Sequence, residues 1–142
     1  MTPATPLTLD AVALCCELVG KPFAWHGRGP VEYDCWGLLR ECMLRAGVRD
    51  IPDYRSCTEG VINATTMLNA MANGWRKLDG PRFGAAVVFR IPCGGHMHVG
   101  FMLGRSQFLH TSEQTHGAVV ESLRPLWERL VLGYYVWEPE TV

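Results

Sequence analysis

Long apolar runs are missing from this 142-residue chain: no stretch approaches the ~18 consecutive apolar residues that a membrane span requires. An excess of either charge is missing too. Thirteen Lys and Arg stand against fourteen Asp and Glu, so the net charge is -1 and the basic surplus of a nucleic-acid binder is absent. The opening residues, Met1-Thr2-Pro3-Ala4-Thr5-Pro6, have no basic stretch followed by an apolar one. No signal peptide is therefore expected, and synthesis in the cytoplasm is. Repeats and charge runs are lacking, and 15 Gly with 9 Pro are too few for a collagen-like or low-complexity chain. What is present, 48% hydrophobic and 19% charged residues, is a globular balance. The length predicts one domain over residues 1–142, large enough to fold without a metal or disulfide staple.

The six cysteines, at 15, 16, 35, 42, 57 and 93, include no Cys-x-x-Cys pair, and a cytosolic chain keeps thiols reduced. A disulfide framework is not expected. Cys15, Cys16 and Cys42 fall in apolar helical patterns and read as small buried residues. Cys35 does not.

Residues 7–19 predict a helix with Thr8 as N-cap and Leu14, Leu18 and Val19 on one face, stopped by Gly20. Residues 20–34, with three glycines and two prolines, predict a long structured loop. A second helix is expected from Cys35 to Ala46, where Trp36, Leu39, Met43 and Ala46 recur at helical spacing before Gly47. A third is expected over 59–72. After Trp75 the pattern changes to short segments rich in Val, Phe, Leu and Tyr, at 84–91, 98–103, 107–111, 118–122 and 132–137. Helices first and close-spaced strands afterwards predict an α+β domain with an antiparallel sheet of about five strands.

Cys35 stands where the Gly/Pro-rich loop becomes an amphipathic helix, in Tyr33-Asp34-Cys35-Trp36-Gly37-Leu38-Leu39. Backbone N–H groups at a helix start lack intrahelical partners, and the dipole adds about half a positive charge. Thiolates at such places are stabilised. Position alone leaves two readings open, a buried thiol beginning a helix or a nucleophile. A nucleophile needs a base and a group to orient it. His98 and His110 fall on the two arms of one expected hairpin turning near Gly104-Arg105-Ser106, opposite or diagonal to each other. One imidazole would take the thiol proton and the other would hold the first in place.

The stretch Gly20-Lys21-Pro22-Phe23-Ala24-Trp25-His26-Gly27, followed by Asp34-Cys35-Trp36-Gly37-Leu38, His98-Val99-Gly100 and Phe108-Leu109-His110, resembles the NlpC-type papain-like cysteine peptidases of bacterial cell walls. The resemblance runs from about residue 9 to residue 137. Trp36, Ile51-Pro52-Asp53-Tyr54 and Leu132-Gly133-Tyr134-Tyr135 resemble the bacteriophage tail-associated branch. It implies a papain-like fold, with Cys35 as nucleophile, His98 as general base and later acid, and His110 as the group orienting His98. It also implies a peptidoglycan stem peptide as substrate, cut between D-glutamate and a diamino acid, with no metal or other cofactor. Tyr33, Asp34, Trp36 and Trp25 are the expected substrate-binding residues.

Four positions depart from the family pattern. Phe23 replaces a tyrosine, His26 a loop glycine, Trp36 a serine, and Ala85 an aspartate. Tyr33 is the candidate for a replacement phenol. Cys93-x-x-His96-x-His98 contains zinc-ligand residue types, but no second pair accompanies it, so a metal site is not expected. His96, two residues from His98 and on the same strand face, is a rival base. Two other functions share the scaffold: a tail-assembly protein in which the fold serves interaction, and an amidase or acyltransferase. Phage tail proteins are then expected partners. A wall enzyme without an export signal is expected to travel on a virion or to be released by lysis.

Overall fold

The computed structural model describes residues 9–53, 73–91 and 97–139. Helix α1 spans Leu9–Leu18 and α2 spans Cys35–Arg45. Among the described residues six strands follow: β1 (Trp75–Leu78), β2 (Ala86–Arg90), β3 (Met97–Met102), β4 (Gln107–His110), β5 (Val119–Ser122) and β6 (Val131–Trp137). A short 3₁₀ helix, Trp127–Leu130, precedes β6. The strands form one antiparallel sheet in the order β1-β6-β2-β3-β4-β5. The expected α+β arrangement is present. Thr8 and the helix expected over 59–72 lie outside the described residues.

The sheet has one strand more than the alternation suggested. Trp75-Arg76-Lys77-Leu78 carries apolar residues only at its ends, so its sequence does not alternate like a half-buried strand. Pairing with β6 makes it one, with Trp75 opposite Trp137 and Leu78 opposite Tyr134. Its exposed Arg76 and Lys77 suit an edge, where charge discourages further strand pairing.

Strand residues alternate between two apolar layers, as a period of two requires. On one face Ala86, Val88, Val99, Phe101 and Leu109 pack with Leu14, Leu18, Trp36, Leu39 and Met43 of the helices. On the other, Val87, Phe89, Met102 and Phe108 pack with Leu123 and Trp127. The helices thus cover one side of the sheet, and the 3₁₀ segment covers part of the other.

Asp34 is the N-cap of α2, its Oδ1 accepting from the Gly37 N–H at 2.7 Å. The Asp34 N–H donates to the Gly27 carbonyl at 3.1 Å, which presses the loop against the first helical turn. Contact there is so close that a Cβ on Gly37 would lie 2.1 Å from the Gly27 oxygen. Alanine usually strengthens a helix relative to glycine by roughly 1 kcal/mol, but here the clash with backbone wins. Gly37→Ala is expected to destabilise the fold by about 1–3 kcal/mol, read as a lowered thermal midpoint. A raised midpoint would show that the loop moves aside at little cost.

Candidate active site

Three strands build one half of the site. The register Met102↔Phe108 and Phe108↔Glu121, with the two-residue alternation, puts His98, His110 and Glu121 on a single face of β3, β4 and β5. It is the face away from the helices. Gly100 stands between His98 and Met102, and a Cβ there would meet the Phe108 ring at 3.0 Å. The glycine therefore leaves space for the aromatic packing beside the histidines.

The histidines touch. His98 Nε2 and His110 Nδ1 are hydrogen-bonded at 2.7 Å, and His110 Nε2 is bonded to Glu121 Oε2. Glu121 Oε1 accepts from the Trp127 indole N–H at 3.3 Å. Aromatic rings wrap the pair: Phe89 stacks on His98 at 6.1 Å, and Trp127 lies 5.1 Å from the His110 ring. Burial pushes the His98 imidazole down to about 3, with His110 adding to the shift. Burial also lowers His110, against the opposing pull of the Glu121 carboxylate. Both rings are therefore neutral near pH 7, and a neutral imidazole can accept a proton.

The other half comes from the helix. Cys35 occupies the first helical position of α2, directly after the Asp34 cap. There its backbone N–H has no acceptor within the helix. Cys35, His98 and His110 line one cleft of about 670 Å³ at the sheet end where β3 begins and β4 ends. Phe23, Trp25 and Trp127 supply aromatic wall, and Ser112–Thr115 form a rim. That rim is braced by Ser112 and Thr115, each accepting the other's backbone N–H through its hydroxyl at 3.0–3.2 Å. Backbone bonds from Phe23 to His116 and from Ala118 to Lys21 tie it to the 20–34 loop.

The structure therefore brings Cys35, His98, His110 and Trp25 to one cleft, and leaves the other three expected residues out of it. Trp25 is 49% exposed, with Phe23 edge-on against it at 4.9 Å. Tyr33, expected at the substrate, is 1% exposed and forms the hub around which the loop closes. Its N–H donates to Pro22, its carbonyl accepts from Ala24, and its ring fills the space beside Gly29. It does not replace the phenol lost at Phe23. Asp34 is buried because capping the helix and pairing with Arg28, at 2.7 and 2.8 Å, occupy it. Arg28 also reaches Asp53 at 2.8 Å. Trp36 is buried in the helical core, edge-on to Trp75. These three residues shape the loop and helix that present Cys35. Cys16, expected to be buried, is exposed, whereas Cys42 is buried. Cys93 and His96 lie outside the described residues.

Sequence reasoning missed Glu121 and Trp127. Val119-Val120-Glu121-Ser122 looks like a strand with an ordinary outward charge. Only the β4–β5 register places that charge beside His110.

The profile of the NlpC/P60 family matches residues 20–136. The chain belongs to the NlpC/P60 family. A curated relative, Protein P54 of Enterococcus faecium, is 26% identical over 113 residues, which is 80% of this chain. The matched part is only 20% of that relative's length. Among solved structures, the NlpC/p60 domain of the peptidoglycan hydrolase SagA is 24% identical, with a TM-score of 0.58, covering 89% of this chain and 95% of that one. An NlpC/P60 protein of Bacillus cereus is 20% identical with a TM-score of 0.65, covering 94% of this chain and 42% of that one. The P60 domain of an antigen from M. avium subspecies paratuberculosis is 22% identical, with a TM-score of 0.57, covering 93% and 94%. At identities this low, the TM-scores show that this NlpC/P60 chain shares their fold.

Proposed function

We propose that this NlpC/P60 chain is a cysteine peptidase that hydrolyses stem peptides of peptidoglycan. The observation that carries the reading is the convergence of Cys35, His98 and His110 on one cleft, with the two imidazoles hydrogen-bonded. Family membership and the hydrolase activity named for a solved relative support the wall peptide as substrate. Because His98 Nε2 is engaged by His110, Nδ1 is the ring nitrogen left for the thiol. It takes the Cys35 proton as Sγ adds to the scissile carbonyl, and the Cys35 N–H helps hold the resulting oxyanion. His98 then returns the proton to the leaving amine, and a water activated by the same nitrogen releases the acyl group from sulfur.

The bond we expect to be cut is that between D-glutamate and the following diamino acid. Tail-associated delivery, on a phage or prophage particle or after lysis, is supported by the residues that resemble that branch, Trp36 and Leu132-Gly133-Tyr134-Tyr135. Incubation with defined muropeptides and mass analysis of the products tests the whole reading. Two fragments whose masses sum to that of the substrate plus one water are expected, and their individual masses name the bond. Intact muropeptide under all conditions would favour a structural role. Transfer to an added amine in preference to water would favour an acyltransferase.

A further inference from the structure

The hydrogen bonds around the two histidines run in one direction, and the direction can be deduced from its far end. An indole nitrogen only donates, so the Trp127 N–H fixes Glu121 Oε1 as an acceptor. A carboxylate only accepts, so Glu121 Oε2 takes its bond from His110 Nε2–H. A neutral imidazole carries one N–H, which leaves His110 Nδ1 with a lone pair. That lone pair must accept from His98 Nε2–H. His98 Nδ1 then has no hydrogen and is the open acceptor of the chain.

We propose that Glu121, with Trp127 behind it, is the positioning residue that sets the tautomer of both histidines and keeps His98 Nδ1 free to take the Cys35 proton. The assignment rests on the peptidase reading for its purpose but not for its geometry. When the S–H bond of Cys35 breaks and an N–H forms on His98 Nδ1, the positive charge arises on a ring already donating through Nε2. That charge is felt along the bonds to His110 and the partly exposed Glu121 carboxylate. Hydrophobic rings on either side, Phe89 and Trp127, offer no competing acceptor to turn the histidines around.

Glu121→Gln gives an unusual test because it is nearly isosteric. Its amide oxygen still accepts from Trp127, so its NH₂ must face His110 Nε2 and donate. Every bond then reverses: His110 becomes Nδ1–H and donates to His98 Nε2, and His98 carries its hydrogen on Nδ1, where the base is needed. Glu121→Ala removes the anchor without imposing the reverse direction. In histidine-labelled full-length protein, nitrogen–proton correlation spectra should show both rings as Nε2–H in the wild type and both as Nδ1–H in Glu121→Gln. On a cleaved muropeptide, the Gln variant should lose on the order of 10²-fold in kcat with little change in KM. The Ala variant should lose less than the Gln variant, the inverse of what loss of packing would give. Thermal unfolding confirms that each variant is folded. Wild-type spectra with His98 in the Nδ1–H form, or a Gln variant that keeps wild-type tautomers, would overturn the assignment. An Ala variant worse than Gln would reduce Glu121 to packing. Should the tautomers invert while even the wild type cuts no muropeptide, the positioning assignment stands and the peptidase reading fails alone.

Discussion

Cys35→Ala is expected to abolish muropeptide cleavage, with turnover falling on the order of 10⁴-fold or more, while the fold survives. The substitution removes one sulfur from a half-buried position at a helix start and leaves the Asp34 cap and the Arg28 pair intact. Loss of activity with an unchanged thermal midpoint therefore reports on chemistry. Alkylation supplies a second measure. Brief exposure to iodoacetamide near neutral pH, followed by peptide mapping, should label Cys35 several-fold to roughly tenfold faster than Cys16, because the helix N-terminus favours its anion. Cys16 is the informative comparison, being exposed on the first helix. Cys42 should stay unlabelled, since burial hides it and raises its thiol. Equal labelling of Cys16 and Cys35, with retained turnover in the alanine variant, would remove Cys35 from the mechanism.

His98→Ala is expected to cost nearly as much as Cys35→Ala, and the double variant little more than either, because nucleophile and base act as one unit. His110→Ala should cost less, roughly 10²-fold. It exchanges no proton with substrate but leaves His98 Nε2 without its partner. His96→Ala should turn over like the wild type. Rates on one muropeptide, with folding checked by circular dichroism, decide among them. Activity lost with His96 and kept without His98 would move the base. His98 is nine-tenths buried, so its alanine variant opens space beneath Phe89 and Trp127. His98→Gln, which fills that space but cannot act as base, separates lost packing from lost proton transfer.

The convergence of Cys35, His98 and His110 on one cleft could be read from sequence because their settings are local. A Gly/Pro-rich loop running into a helix, and two histidines on the arms of one hairpin, need no knowledge of distant parts of the chain. Glu121 and β1 depend on pairing partners far along the sequence. Glu121 is ordinary until β5 is set against β4, and Trp75–Leu78 is not strand-like until β6 lies beside it. Tyr33, Asp34 and Trp36, expected at the substrate, are buried outside the cleft for a different reason. The resemblance implies substrate contact for these neighbours of Cys35, whereas a helix start directs consecutive side chains in different directions. Two of those directions lead inward, and the Asp34 carboxylate is taken by its own helix.

The sheet separates Cys35 and His98 into two packing environments: Cys35 packs against the helical layer, and His98 lies beneath the aromatic rings on the opposite face. Their spacing is thus inherited from two cores that can be altered independently. Substitutions such as Leu39→Met, one turn along α2 from Cys35, or Phe108→Leu, against the His110 ring, are expected to shift one partner relative to the other. A misplacement of about 1 Å can cost roughly 10²-fold in rate. With Cys35 and His98 acting together as proposed, buried apolar substitutions in either layer are expected to lower turnover well before they unfold the chain.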